Sequence, residues 1–249
     1  MYKRQGPDSA VDLAFYADPV CPFCWMTSKW VRTVAARRAY RVDWRFISLR
    51  LVNAHVDYAS HFPPEYEAGH TAGLRLLRVA ARTRAEHGPD AVGRLFLELG
   101  TAIFDAEFVP DAADAHGARG TRAFVGPVLA AAGLPEELAE ALDDPRWDET
   151  VQAETDEALV LTGKDVGTPI LQFGPPDGPA FFGPVISRLP RGDEAEALWD
   201  HVVALARFPG FAELKRSLRE LPQLRALGVA EGEASVVQEW EAGSRRLTR

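Results

Sequence analysis

The 249-residue chain holds only two cysteines, Cys21 and Cys24, and they stand three positions apart. A bridge between residues so close would constrain the unfolded chain very little, so stabilisation is a poor reason to keep the pair, and redox work is a better one. Half of a zinc site is the competing use. Structural zinc takes four ligands, however, and the sequence has no second C-x-x-C and no close C-x-x-H. What lies on either side of the pair constrains the fold further. Val11-Asp12-Leu13-Ala14-Phe15-Tyr16-Ala17 is a short, mostly apolar run that suits a buried strand. A helix is predicted from about Pro22, with Met26, Trp30, Val31, Val34 and Ala35 on one side and Arg37 and Arg38 near its C-terminal end. Val42-Asp43-Trp44-Arg45-Phe46 then alternates as a half-buried strand. Strand, helix and strand at these lengths make a βαβ unit, with the cysteines where the first strand becomes the helix.

That junction sets the chemistry. A helix N-terminus offers unpaired backbone N–H groups and the positive end of the peptide dipoles, which favour a thiolate over a thiol at Cys21. Cysteines in such places titrate at roughly 3.5–7.5, against about 8.5 for a free cysteine. Cys21 is then the expected nucleophile towards a disulfide sulfur. Cys24, one turn in and expected to be more shielded, is the residue that resolves the mixed disulfide. Pro22 pre-sets φ without adding another unsatisfied donor, and Phe23 is expected to present a flat apolar surface beside the reactive sulfur.

Between about residues 63 and 163 the pattern turns wholly helical. Helices are predicted over 65–86, 90–106, 118–132 and 135–142, followed by a cap at Asp144-Pro145 and a helix that stops at Gly163. The expected organisation is an α/β domain built from residues 10–50 and 164–220, an inserted helical domain over 63–163, and a tail over 221–249 that is disordered or partly helical. Thr168-Pro169-Ile170-Leu171-Gln172-Phe173 and Ala180-Phe181-Phe182-Gly183-Pro184-Val185, separated by a turn rich in Pro, Asp and Gly, read as an antiparallel hairpin. Helices are predicted after it over 193–206 and 210–220. Proline opening a strand that would otherwise be central calls for a cis Thr168–Pro169 bond, the alternative being a trans proline on an edge strand. The backbone of Thr168 is then available to pair with an extended substrate beside the sulfur.

A net charge of −8 with the signs well mixed argues against nucleic acid as a partner. No stretch reaches the ~18 uninterrupted apolar residues of a membrane span, and Met1–Asp8 lack an apolar signal core, so the expected location is the cytoplasm with no membrane partner. His55, His61 and His70 are spaced by six and nine, which matches no metal motif, and they read as solvated or locally bonded histidines. Trp25 and Trp30 read as core, and no metal or tightly bound cofactor is expected.

A C-P-x-C motif after the first strand, a helical insertion, and G-T-P before the next strand resemble the DsbA-like branch of the thioredoxin superfamily. More narrowly, the runs D-P-x-C-P-F-C-W, V-G-T-P-I and A-F-F-G-P-V-I-S-R-L-P-R-G, followed by L-W-D and G-F-x-E-L-K-R, are similar to the actinobacterial mycothiol-dependent disulfide reductase and nitroreductase family. The resemblance covers residues 10–220. It implies a thioredoxin-like fold and electron flow from mycothiol, with mycothione reductase and NADPH behind it, through Cys21 and Cys24 to a disulfide or nitro-compound. It also implies a pocket lined by Asn53 and Tyr66, although a loop Asn often makes only a turn and a Tyr at a helix start often only packs. The chain departs from the family pattern at Phe23, where Trp is usual, and at Phe104, where a His is common. Two other functions remain open: a DsbA-like dithiol oxidase or isomerase, and a binding protein or holdase that uses the dithiol as a redox switch. Nothing in the sequence fixes an oligomeric state.

Overall fold

The computed structural model describes residues 11–106, 115–215, 218–233, 237–241 and 244–245. Strand β1 (Leu13–Ala17) leads into helix α1 (Pro22–Arg38) and then strand β2 (Val42–Phe46), which runs parallel to β1 in the register Leu13↔Val42 to Ala17↔Phe46. Every residue of β1 is buried, which follows from a central strand covered on both faces. Leu13, Phe15 and Ala17 belong to the core shared with α1, whereas Ala14 and Tyr16 pack with Ile170 and Ala158 on the other side.

Two short helices, α2 (Leu49–Val52) and α3 (Tyr58–His61), introduce the long helices α4 (Glu65–His87) and α5 (Pro89–Phe104), which meet at Gly88 with φ 81°. The helix expected over 118–132 starts later, as α7 (Arg122–Ala131), and a separate turn of helix, α6 (Ala115–Ala118), precedes it. The break has two causes: the Thr121 side chain accepts from Phe124 N and starts a new helix, and Gly120 passes so close to Ala72 that a Cβ would meet its Cα at 3.0 Å. Glu136–Asp143 is 3-10 helix. A second 3-10 turn over Pro145–Trp147, with the Asp144 side chain accepting from Arg146 N, leads into α8 (Asp148–Thr162).

The chain then re-enters the sheet. Strand β3 (Ile170–Phe173) pairs antiparallel with β1, and β4 (Ala180–Phe182) pairs antiparallel with β3, giving the order β2-β1-β3-β4. Helix α9 (Asp193–Arg207) packs beside α1, where Trp30 and Trp199 meet edge to face at 5.4 Å and Trp30 Nε1 donates to Ala195 O at 2.8 Å. A βαβ unit joined through a helical excursion to an antiparallel hairpin, with helices on both faces, is a thioredoxin-like fold.

One expectation for the C-terminal part needs correction. Residues 211–215 are not helical, and Leu218–Glu220 form strand β5, which pairs antiparallel with β6 (Val237–Glu241); β6 also pairs with β7 (Ser244–Arg245). The helix expected over 210–220 lacks a continuous buried face: Phe211 meets the Phe181 ring at 5.6 Å, but Leu214 is 80% exposed, and a short helix without a buried face is marginal in water. After β5 a 3-10 turn covers Arg225–Leu227. Leu224 and Val229 are buried, and Gln223 N donates to Ser187 O at 2.8 Å, which ties the segment to the loop after β4. Leu247 lies outside the described residues. Among the described residues no helix is long and apolar enough to cross a membrane.

Candidate active site

The end of β1 and the start of α1 bring the two sulfurs to one place. Cys21 is the N-cap of α1, with extended backbone at φ −84° and ψ 116°, and Pro22 occupies the first helical position. Ser, Thr or Asp usually caps a helix by accepting from the exposed N–H groups, and here the Cys21 sulfur takes that place, accepting from Cys24 N at 3.4 Å. On its other side the Cys21 Sγ lies 3.7 Å from the Thr168 carbonyl, to which the protonated thiol donates. The Thr168–Pro169 peptide is cis, and Pro169 stands immediately before β3, next to the central strand. Among the described residues the Thr168 hydroxyl is buried with no hydrogen-bond partner of its own. Neither sulfur is bonded to the other, and both are buried, Cys21 at 6% exposure and Cys24 at 3%.

The two thiols therefore differ in electrostatics far more than in access. Burial pushes the Cys21 thiol up, but the groups of Cys24 and Thr168 that face its sulfur outweigh burial and hold it below the ordinary cysteine value. Burial and the neighbouring Cys21 sulfur push Cys24 well above that value. The arrangement favours the thiolate at Cys21 over Cys24 and the thiol at Cys24.

Asp18, which stands out in the sequence only as part of the C-P-F-C motif's approach, is wholly buried directly before the pair. Its Oδ1 accepts from Val20 N at 3.0 Å, its Oδ2 from Leu49 N at 2.8 Å, and its carbonyl from Cys21 N at 3.1 Å. Burial pushes its carboxyl up to about 7 against the opposing effect of the two N–H donors. The available signal was an acid closing an otherwise apolar strand, where the polar group needs partners inside the fold.

The inserted helices reach this turn through glycines. A Cβ at Gly73 in α4 would lie 2.6 Å from Asp18 Oδ1, and one at Gly100 in α5 would lie 2.1 Å from the Trp25 ring. Trp25 is held by a bond from its Nε1 to Asp105 Oδ1 at 3.0 Å, an oxygen that also accepts from Lys29 Nζ at 2.9 Å. The residues on both sides of the C-P-F-C segment are thus fixed by the insertion.

Comparison with known proteins bears on this site. Residues 20–216 match a family described as Rv2466c-like, mycothiol-dependent nitroreductase Rv2466c. The chain belongs to the Rv2466c-like family. It is also 31% identical over 202 residues, 81% of this chain and 80% of the other, to the uncharacterized protein Rv2286c of Mycobacterium tuberculosis. Two solved structures described as candidate protein disulfide isomerases are more distant. The one from Nitrosomonas europaea has 13% identity and a TM-score of 0.48 over 77% of this chain and 97% of that one. The one from Pseudomonas syringae has 18% identity and a TM-score of 0.46 over 77% and 92%.

In this Rv2466c-like chain the residues singled out from sequence fall into two groups. Cys21, Pro22, Phe23, Cys24, Thr168 and Pro169 share the end of β1, the start of α1 and the start of β3. Phe23 is buried at 2% exposure, in the same apolar cluster as Cys21 and Cys24. Asn53 and Tyr66 form no hydrogen bond with either sulfur. Asn53 is the C-cap of α2, its Nδ2 donating to Leu49 O at 2.8 Å. Tyr66 stacks on Phe62 at 5.3 Å with the planes 10° apart, in a cluster that includes Tyr58 and His70. The Tyr58 hydroxyl and His70 Nδ1 are 3.0 Å apart, and burial lowers the pKa of His70 to about 4, so His70 is a locally bonded, neutral histidine. Asp18 joins the groups, since the residue it holds at Oδ2 is the first of α2. Phe104 is buried beneath the Arg119 guanidinium, 5.9 Å from its ring centre.

Proposed function

We propose that this protein is a thiol–disulfide oxidoreductase in which Cys21 is the nucleophile and Cys24 the resolving residue, with mycothiol as the electron donor and a disulfide or nitro-compound as the acceptor. The observation that carries the reading is the Cys21 sulfur capping α1 opposite the Thr168 carbonyl, with its pKa held down while that of Cys24 is held up. The Cys21 thiolate attacks one sulfur of a substrate disulfide; a Cys21–substrate bond forms, and the other half leaves as a thiolate that takes a proton from solvent. Cys24 then displaces the substrate sulfur. The substrate has gained two electrons, and the chain carries a Cys21–Cys24 disulfide. Two mycothiol molecules return the dithiol through the reverse exchange and leave as their own disulfide, which NADPH-driven reduction recycles in the cytoplasm.

Thr168 and Pro169 supply the surface on which a substrate lies in extended form beside the sulfur, and Pro22 keeps the helix start free of a competing N–H. The family description supports mycothiol and a nitro acceptor over a protein thiol. The test offers the purified protein mycothiol, glutathione and thioredoxin in parallel, each with a disulfide and with a nitroaromatic acceptor. Turnover with mycothiol is expected, and turnover with thioredoxin alone would overturn the donor assignment. Cys21→Ser is expected to lose all turnover, whereas a redox-switched binding protein would keep its client.

A further inference from the structure

A cleft of about 450 Å³ lies beside the middle of α1, walled by that helix, by residues 189–192 and by Glu231 from the segment after β5. Its volume falls within the ~300–1,000 Å³ of small-molecule sites. It stands apart from the dithiol, because Lys29, the first α1 residue on its wall, is about 12 Å along the helix from Cys21 at ~1.5 Å per residue.

The cations on this wall are unequally matched. Lys29 Nζ is taken by Asp105 Oδ1 at 2.9 Å. Arg191 is paired with Glu231, but the two side chains are 71% and 65% exposed, and such a pair is weak. Arg32 has no acidic partner among the described residues. Its Nη2 donates to Gly93 O at 2.7 Å, its guanidinium lies 4.0 Å from the Trp44 ring centre, and its buried Nε has no hydrogen-bond partner. Burial lowers its pKa to about 10 with no carboxylate acting against it, so it stays charged at neutral pH. With Lys29 set against Asp105 and Arg191 against Glu231, the charge of Arg32 is left over, beside apolar surface from Trp30 and Leu189-Pro190.

We propose that this cleft binds a small organic anion, a molecule with an apolar body and one carboxylate, whose charge matches Arg32 and which displaces Glu231 from Arg191 on entry. The site is additional to the redox pair and does not depend on the oxidoreductase reading. Glu231 already places a carboxylate on Arg191 at the cleft, and a guanidinium accepts the two oxygens of another in the same way. Releasing Glu231 leaves its segment in place, since other bonds hold it: Gln223 N donates to Ser187 O and Gln223 Nε2 to Glu233 O, both at 2.8 Å, and Gly232 N donates to Gln223 Oε1 at 3.2 Å. The apolar body then covers Trp30 and Leu189-Pro190, which distinguishes the ligand from a bare inorganic anion.

The test is isothermal titration calorimetry of the purified protein with three probes: 1-naphthoate, its neutral counterpart 1-naphthamide, and inorganic phosphate. 1-Naphthoate should bind at one site, 1-naphthamide at least ~10-fold more weakly, and phosphate not measurably, because charge and apolar body are both required. Glu231→Gln, a change at an exposed side chain, should tighten 1-naphthoate several-fold, and Arg191→Gln should weaken it several-fold. Arg32→Gln should abolish binding. Amide shifts in an NMR titration should cluster at residues 29–33 and 189–192. No binding of 1-naphthoate, equal affinity for the acid and the amide, no tightening in Glu231→Gln, or shifts centred on residues 21–24 and 168 would each overturn the proposal. Should Arg32→Gln fail to fold, the Glu231 and Arg191 variants decide. Loss of turnover in Cys21→Ser is read independently, so the cleft and the thiol chemistry can fail separately.

Discussion

At Cys21 a burial that raises the thiol pKa competes with the Cys24 thiol, a facing threonine and the backbone N–H of Cys24, which lower it, and the second effect prevails. Iodoacetamide labelling against pH should therefore give a midpoint below the ~8.5 of free cysteine. Thr168→Val, which removes the buried hydroxyl beside the sulfur but keeps the carbonyl, should move that midpoint up and slow labelling several-fold at pH 7. An unchanged midpoint would show that the hydroxyl does not act on the thiolate. Two other residues write opposite signatures into stability. Asp18 has a folded pKa of about 7 against 3.8 unperturbed, so it binds a proton more tightly in the folded state; its contribution is full below about pH 4 and is lost as pH rises through 7. His70 has a folded pKa of about 4 against 6.5; its contribution is full above 6.5 and is lost as pH falls through 4. The two slopes oppose each other between pH 4 and 6.5. Urea denaturation across that range should show stability falling with pH in His70→Gln and rising in Asp18→Asn, relative to wild type. Variants that both parallel the wild type would refute the burial argument.

Among the elements, α1 is the one that the sequence disclosed most fully, since its start, apolar side and basic end could all be read from residue types. Its C-terminal cap could not. Ala39 takes φ 52°, a left-handed conformation in which its exposed side chain gains nothing, and no local signal separates such an alanine from a helical one. Removing the Cβ relieves about 1–2 kcal/mol of steric cost, while glycine returns about 0.4–1 kcal/mol of unfolded-state entropy. Ala39→Gly should thus stabilise the protein by about 0.5–1 kcal/mol, and a destabilised variant in thermal melts would exclude that conformation. The pairing of β3 with β1 and β4 was readable because turn residues and a strand-opening proline punctuate the chain there. The contacts of α4 and α5 with the redox turn were hidden for a physical reason: Gly73 and Gly100 act by what they lack, and a glycine within a helical stripe reads as a weakness. Asp18 was hidden similarly, since its role depends on Leu49 N, which comes from a different element. Gly100→Ala would drive a methyl into Trp25, and a cost of about 1–3 kcal/mol is expected from denaturation curves. A neutral result would mean that α5 does not seat against α1 as described.

Across the whole molecule, the sequence pattern separates an α/β part from a helical insertion, yet one continuous apolar core contains Leu13 and Phe15 of the sheet together with Leu95, Leu129 and Leu138 of the insertion. The polar ties run the same way. Arg84 of α4 donates to Glu154 of α8 and to the Trp44 carbonyl of β2, and lies 4.1 Å from the Phe46 ring centre, while Glu154 also accepts from Phe46 N at 2.8 Å. Helices and sheet joined in this manner have no surface along which to separate cheaply, so they should unfold in one transition. Two probes distinguish the parts. Of the six tryptophans, Trp25, Trp30, Trp44 and Trp199 lie on α1, β2 or α9 and Trp147 lies in the insertion, so fluorescence is weighted towards the thioredoxin-like part; far-UV circular dichroism is dominated by helices, many of them in the insertion. The two urea transitions should coincide. Arg84→Met leaves the Glu154 carboxylate with only its backbone donor and should cost about 3 kcal/mol, moving both transitions to lower urea together. A circular dichroism transition that precedes the fluorescence transition, in the wild type or in Arg84→Met, would show instead that the insertion folds on its own and holds the redox turn only as a docked neighbour.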